Sequence, residues 1–265
     1  MKTTELDRIR QWFPSYVDSF AAQDGSMHNT YFIKKTHTLR VSTDCRLLAE
    51  ALGWQTGRVN AAEALGLLHD VGRFPQFQRF QTLIDSKSID HGELGHEVVS
   101  NSDLLSGLGA GEAAAILCGI CCHNRRRLET GAGREALALL KLIRDADKLD
   151  ILYVVSDIMK TGSYKQYPEL LLNVDPDGPP SSDLIEEISG HRSGSYAHVR
   201  SLADINLIRM AWVYDLNYLP TFQLIASRGL LSEMKNILPD IPEVRKITEE
   251  AEAYLIAKTK EVASP

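Results

Sequence analysis

The sequence lacks the features of membrane, secreted and nucleic-acid-binding proteins. It contains no run of about 18 apolar residues, and the segment Met1–Asp7 has no apolar stretch like that of a signal peptide. Its formal net charge is -6, so no excess of positive charge favours strong binding to nucleic acid or to an anionic membrane. We therefore expect a cytoplasmic protein that binds neither, although local positive charge would still suit a small anionic substrate.

Cysteine is also scarce. The chain has one isolated cysteine, Cys45, and a crowded group at Cys118, Cys121 and Cys122, whereas secreted disulfide scaffolds contain a dispersed, even set. The pattern Cys118-x-x-Cys121-Cys122-His123 resembles half of a zinc site, but such a site needs a second pair of ligands and only Cys45 remains. We interpret these thiols as packing residues.

Strand-like alternation is nearly absent, and apolar residues recur at helical spacing along most of the chain. A chain of 265 residues with 44% hydrophobic content can bury a sizeable core, so the pattern predicts an all-α fold. In the first long helix, Ile33, Val41 and Leu48 share a stripe with His37. This stripe places His37 on the inward face, where a buried imidazole needs a polar partner.

The adjacent pair His69 and Asp70 is predicted to lie at the end of the next helix. Asn60 and Glu63 have the spacing of a capping box that would open this helix, and Gly72 stands where helices commonly stop. Neighbouring helical side chains point about 100° apart, so both can contact one ion only if it lies over the wedge between them. The end of a helix offers that opening.

Two further histidines are predicted at helix ends. Asp90 followed by Glu93 resembles a helix start, which places His91 in the first turn and His96 one or two turns later, so His91 is the better candidate ligand. An apolar helix over 112–122 ends at His123.

A long helix from about Arg134 to Met159 holds two acidic candidates. Asp147 and Asp145 lie on different stripes of a helix that is apolar almost all round, so the pattern alone does not choose between them. Histidines and aspartates threaded through one helical region nevertheless indicate a hydrolytic centre with one or two metal ions.

The order His37, His69-Asp70, Asp147 resembles that of the HD superfamily of metal-dependent phosphohydrolases over roughly residues 30–155. The segment Leu68-His69-Asp70-Val71-Gly72-Arg73 is similar to the His-Asp-Ile-Gly variant, and Ala146-Asp147-Lys148-Leu149 is similar to the closing Ala-Asp-basic-Leu segment of the family. The resemblance implies an HD-domain helical bundle and selects Asp147 as the ligand. Asp145 and His96 would then lie outside the coordination sphere of the metal and would support its ligands.

The resemblance also implies a cofactor and a mechanism. The ligands of one ion would be His37, His69, Asp70 and Asp147, and Asp70 would bridge to a second ion held by His91 and His123, similar to the added ligands of the two-metal members. One or two divalent ions per chain are expected, with Mn, Fe, Mg or Zn as candidates. His69 and Asp70 would carry catalysis through a metal-activated water.

The implied substrate is a small phosphorylated compound such as a nucleotide. Arg73, Lys148 and Arg125 adjoin the proposed ligands in sequence and are the candidates for binding its phosphate. No Gly-Tyr-Pro segment follows the His-Asp pair, which weakens an assignment to the cyclic-dinucleotide phosphodiesterases of the HD-GYP type. Two other classes stay open: a di-iron oxygenase of the HD fold and a non-catalytic nucleotide-binding module.

The predicted organisation has three parts. Residues 1–29 would form an N-terminal helical extension, residues 30–160 the HD metal-binding core, and residues 161–265 a connecting loop and C-terminal helices packed on the same core. A turn-rich stretch, Asp175-Pro176-Asp177-Gly178-Pro179-Pro180, supports the loop. The sequence does not indicate an oligomeric state.

Overall fold

The computed structural model describes residues 1–126, 133–161 and 174–261, with the side chain of Lys160 left out. Over these ranges the chain is mostly α-helical and contains no β-strand, apart from one isolated parallel bridge between Asp175 and Ser201. No helix within these ranges is long and apolar enough to cross a bilayer. The predicted all-α fold class is confirmed.

The chain divides into two compact units, Met1–Asp150 and Ile151–Pro265. The helices of the first unit are α1 (Thr3–Asp18), α2 (Asn29–Ala51), α3 (Thr56–Leu68), α4 (Arg73–Phe80), α5 (His91–Ser100), α6 (Ala110–Cys122) and most of α7 (Arg134–Lys160). The helices of the second unit are the end of α7, α8 (Ser182–His191), α9 (Leu202–Ala211), α10 (Leu219–Ser227), α11 (Leu230–Asn236) and α12 (Pro242–Thr259).

Helix α3 is the centre of the first unit. Every residue from Val59 to Leu68 is buried, and the helix packs against α1, α2 and α6. The capping box predicted at Asn60 and Glu63 is wrong, because α3 begins one turn earlier, at Thr56. Both side chains are used in tertiary contacts instead: Asn60 donates to the carbonyl of Met1 at 3.2 Å, and Glu63 accepts from Arg10 at 2.8 Å.

The turn after α3 positions the His-Asp pair. The helix ends at Leu68, and His69 is its C-cap residue. Gly72 has an ordinary right-handed φ of -66°, so conformational freedom is not why glycine is needed here. A Cβ at Gly72 would collide with the carbonyl oxygen of His91 and lie 2.5 Å from the nitrogen of Gly95. Glycine therefore allows the turn to touch the backbone of α5.

We expect Gly72→Ala to lower the free energy of unfolding by about 2 to 3 kcal/mol, because the added methyl group has no space against α5. Urea unfolding will measure the change. The control is Gly111→Ala in α6, where a new Cβ meets nothing within 4 Å. That helical substitution should leave stability unchanged or raise it by up to about 1 kcal/mol. Equal stability of the Gly72 variant and the wild type would contradict the packing argument.

An aromatic cluster fixes α4 beside the turn. Pro75 lies in the first turn of α4, where a backbone N–H has no partner within the helix to lose. The fully buried Phe74 ring has neighbours with ring centroids within 6.3 Å on or just after α1 and on α2, namely Phe13, Tyr16, Phe20 and Tyr31. Tyr16 also donates to the carbonyl of Val71 at 3.0 Å. These contacts hold both ends of the turn.

The second unit has its own apolar core and a buried polar junction. Asp204, fully buried in the first turn of α9, forms a capping box with Ser201. It also accepts from the backbone nitrogen and hydroxyl of Ser181, each at 2.7 Å, so it joins the starts of α8 and α9.

Part of the predicted connecting loop, residues 162–173, lies outside the described ranges. The boundaries at 29/30 and 160/161, and a core shared by both parts, stay predictions.

Candidate metal centre

Three side chains from α2 and the turn after α3 form a first group of metal-ligand atoms: His37, His69 and Asp70. The Nε2 atoms of His37 and His69 lie 3.6 and 3.7 Å from Asp70 Oδ2. Asp147 of α7 is also close to both imidazoles, with Oδ1 3.1 Å from His37 Nε2 and 3.9 Å from His69 Nε2. Both Nε2 atoms are buried and make no hydrogen bond. Such nitrogens are costly to leave unsatisfied, and they point to a ligand between them.

A second group shares the same aspartate. Asp70 Oδ1 lies 3.4 Å from His91 Nε2 and 3.7 Å from His123 Nε2. The two Nε2 atoms are 3.1 Å apart, so both rings converge on one point. His91 begins α5 with Asp90 as its N-cap, and His123 is the C-cap residue of α6, as the sequence predicts. Asp70 thus presents one oxygen to each group.

The Nδ1 atom of each imidazole has a partner that orients the ring. His69 and His123, both helix C-caps, contact the carbonyls three residues earlier, Gly66 and Ile120, each at 2.8 Å. The partners of His37 and His91 are carboxylates: Asp150 at 2.6 Å and Asp85 at 2.7 Å. With Nδ1–H donating to these acceptors, the Nε2 atom of each ring faces Asp70.

The electrostatics give His69 and His91, but not His37, the protonation state that a metal ligand needs. Burial lowers the pKa of His69 to about 3, and burial together with the charge of Arg73 lowers the pKa of His91 to about 4, so both rings are neutral at pH 7. Burial also opposes a charge on His37, but the carboxylates of Asp147 and Asp150 raise its pKa to about 9. A metal binding there must displace that proton.

Asp70 is an ionised carboxylate in this setting. Burial works against its charge, but the nearby Lys34 ammonium and His69 hold the pKa of Asp70 well below its usual range. The neutral imidazoles of His69 and His91, an ionised shared carboxylate and unsatisfied buried nitrogens suit a divalent transition-metal or Mn²⁺ site. The residues present therefore fit one or two ions.

Three contributors were missed in the sequence. Lys34 Nζ donates to Asp70 Oδ2 at 2.8 Å, and it lies one turn before His37 on the same helical face. Asp150 lies one turn after Asp147, and it also accepts from Arg40 at 2.6 Å. These spacings of three residues are a signal that could have been used. Asp85 lies in a short 3₁₀ turn, Asp85–Lys87, and no sequence pattern marks it.

Arg73, predicted to bind phosphate, is committed to protein acceptors. Its Nη1 donates to Gln76 Oε1 at 2.8 Å, to the carbonyl of Leu83 at 2.6 Å and to Asp85 Oδ1 at 2.8 Å. Its Nε lies 3.6 Å from Asp70 Oδ1 without a hydrogen bond. Arg73 thus reaches the centre and anchors Asp85; binding of phosphate stays a prediction.

The other predicted site residues differ in how deeply their side chains are buried. Lys148 is buried in α7, and Arg125 is half-buried, with Nη2 3.9 Å from Glu93. Asp145 is fully buried in α7, while His96 lies exposed on α5, five residues after the buried His91. Their roles stay predictions. Arg127, part of the basic run after His123, is outside the described ranges.

We expect Asp85→Asn to weaken binding of the ion beside His91 by about 10- to 100-fold, because the amide no longer holds the ring as a carboxylate does. A titration of metal-free protein with Mn²⁺ will measure this. Asp103→Asn, at an exposed carboxylate, serves as the control. Wild-type affinity in the Asp85 variant would show that the contact at 2.7 Å does not support a ligand.

Comparison with known proteins gives one result. Residues 35–152 match the family model described as HD domain. This range contains every proposed metal ligand. No curated protein and no solved structure matches the chain. The resemblance inferred from the order of histidines and aspartates is confirmed by this match.

Proposed function

Starting from the HD domain at residues 35–152, we propose that this protein is a metal-dependent phosphohydrolase acting on a small phosphorylated compound such as a nucleotide. The observation that carries the proposal is the sharing of Asp70 between two ligand groups, one with His37 and His69 and the other with His91 and His123. A carboxylate with one oxygen facing each group is suited to bridge two ions.

The proposed ligand sets follow the two groups. His37, His69, Asp147 and Asp70 Oδ2 would hold one ion, and His91, His123 and Asp70 Oδ1 the other. When bound, such ions act as Lewis acids on a phosphoryl oxygen and lower the pKa of a coordinated water. Asp85 and Asp150 would keep the imidazoles in the correct tautomer, and the surrounding burial would keep other water away.

Exposure indicates from which side a substrate would enter. The side chains of His69 and Asp70 are 0% and 4% exposed, whereas that of Asp147 is 22% exposed. The centre therefore opens beside Asp147, and a phosphate would approach there. Two cations, Lys34 and Arg73, lie at this centre beside its carboxylates, whereas the whole chain has a net charge of -6. This contrast supports a small anionic substrate over a polyanion.

The test is reconstitution of chelator-treated protein with Mn²⁺, Fe²⁺, Zn²⁺ or Mg²⁺, followed by assays with a phosphomonoester, a cyclic phosphodiester and a pyrophosphate. We expect hydrolysis of at least one substrate class that requires added metal and stops with chelator. Oxygen consumption dependent on Fe²⁺, without hydrolysis, would favour the di-iron oxygenase instead. Nucleotide binding without turnover under every ion would favour the binding module.

A further inference from the structure

Lys34 occupies a position that the ligand sets do not explain. It lies on α2 one turn before His37, and its Nζ donates to Asp70 Oδ2 at 2.8 Å. The side chain is 17% exposed, while that of Asp70 is 4% exposed. Within the described ranges this is its one ion pair, so nothing else fixes the ammonium in place.

Arg73 is the corresponding cation at the other oxygen, but it is held differently. Its Nε lies 3.6 Å from Asp70 Oδ1, while its Nη1 has three acceptors that include Asp85. Moving Arg73 would break those contacts and release the Asp85 carboxylate that orients His91. Lys34 has a flexible aliphatic chain and one partner, so it can move at a lower cost.

The place of Lys34 conflicts with occupancy of the first ligand group. Asp70 Oδ2 is the oxygen that faces the unsatisfied Nε2 atoms of His37 and His69, at 3.6 and 3.7 Å. A divalent ion held by these atoms would meet the ammonium at the same oxygen. Like charges a few ångströms apart in a buried site repel strongly, so the lysine and the ion compete for Asp70.

We propose that Lys34 is a displaceable cation: it neutralises Asp70 in the metal-free protein, leaves Oδ2 when an ion binds, and then binds the phosphate of the substrate. The last step rests on the proposed function, whereas the first two do not. Lys34 is favoured over Arg73 for this phosphate contact because Arg73 stays tied to its protein acceptors. Its role would be that of a substrate-binding residue and a competitor that sets metal affinity.

The displacement is tested by the affinity of chelator-treated protein for Mn²⁺, measured by titration calorimetry. Lys34→Met removes the charge and keeps much of the chain length, so the first ion should bind about tenfold more tightly than in the wild type. Lys35→Met is the matched control, because Lys35 is the next residue and pairs with Asp18 at the surface, at 3.1 Å. Equal or weaker binding in the Lys34 variant would overturn the displacement.

A second readout requires no turnover. The metal-free Lys34→Met variant should have a lower melting temperature than the wild type, because Asp70 loses its counter-ion, and Mn²⁺ should close that difference. A melting temperature that stays equally depressed with saturating Mn²⁺ would show that Lys34 is structural and would overturn the proposal.

The phosphate step is tested on Mn²⁺-loaded protein with inorganic phosphate as the probe. We expect the phosphate dissociation constant to rise about tenfold in Lys34→Met, to recover partly in Lys34→Arg and to stay unchanged in Lys35→Met. An unchanged constant in Lys34→Met would overturn this step. If neither wild type nor variant binds Mn²⁺, Fe²⁺, Zn²⁺ or Mg²⁺, the proposed function fails and the inference fails with it. If both bind equally, only the inference fails.

Discussion

Replacing Asp70 with alanine is expected to abolish binding at both proposed metal sites and to reduce the proposed hydrolysis by roughly a thousandfold or more, because one carboxylate faces both ligand groups. Its Oδ2 lies near His37 and His69, and its Oδ1 lies near His91 and His123. Elemental analysis and the hydrolysis assay measure the two effects on the same preparation.

The Asp70 experiment needs a companion variant, since the alanine also leaves Lys34 without its partner in a buried site. Asp70→Asn keeps the size of the side chain and removes its charge. We expect a folded protein by circular dichroism with little metal in both variants. Wild-type metal content in either variant would refute the bridging role of Asp70.

Replacing Asp147 with asparagine is expected to lower the affinity for an ion between His37 and His69 by more than about a hundredfold. A loss of about a hundredfold is the upper end for residues that only support a ligand. The carboxylate of Asp147 faces both imidazoles, with Oδ1 3.1 Å from His37 Nε2. The effect will be measured by Mn²⁺ titration and by the hydrolysis rate.

Asp145→Asn is the matched control, since it makes the same change two residues earlier in α7. Asp145 is fully buried, so its replacement is expected to lower the melting temperature more than metal affinity. If the Asp145 variant lost metal and the Asp147 variant kept it, the wrong carboxylate would have been chosen.

Most helix ends near the centre could be predicted because a local signal marks them. Asp90 caps α5 through its own side chain, which accepts from the backbone nitrogens of Gly92 and Glu93. The apolar run before His123 likewise ends where α6 ends. The same kind of signal failed at Asn60, because that side chain is used in a contact with Met1, 59 residues away in sequence.

The side chains that orient the ligands were harder to find. Histidine and aspartate in a family order can be recognised one by one, but their partners depend on how distant segments meet. The contact of His37 with Asp150 joins residues 113 positions apart, and the contact of Asp85 with His91 depends on a loop between helices. Spacing within α2 or α7 could have suggested Lys34 and Asp150, whereas Asp85 required the structure.

We propose that Asp70 joins two metal sites in one chain. Its most direct test is elemental analysis of protein purified without chelator or nickel resin, with metal counted per chain before and after reconstitution. We expect about two ions of Mn or Fe per chain. One ion per chain after reconstitution would contradict the shared site and remove His91 and His123 from the ligand set, and no bound metal would contradict the hydrolase itself.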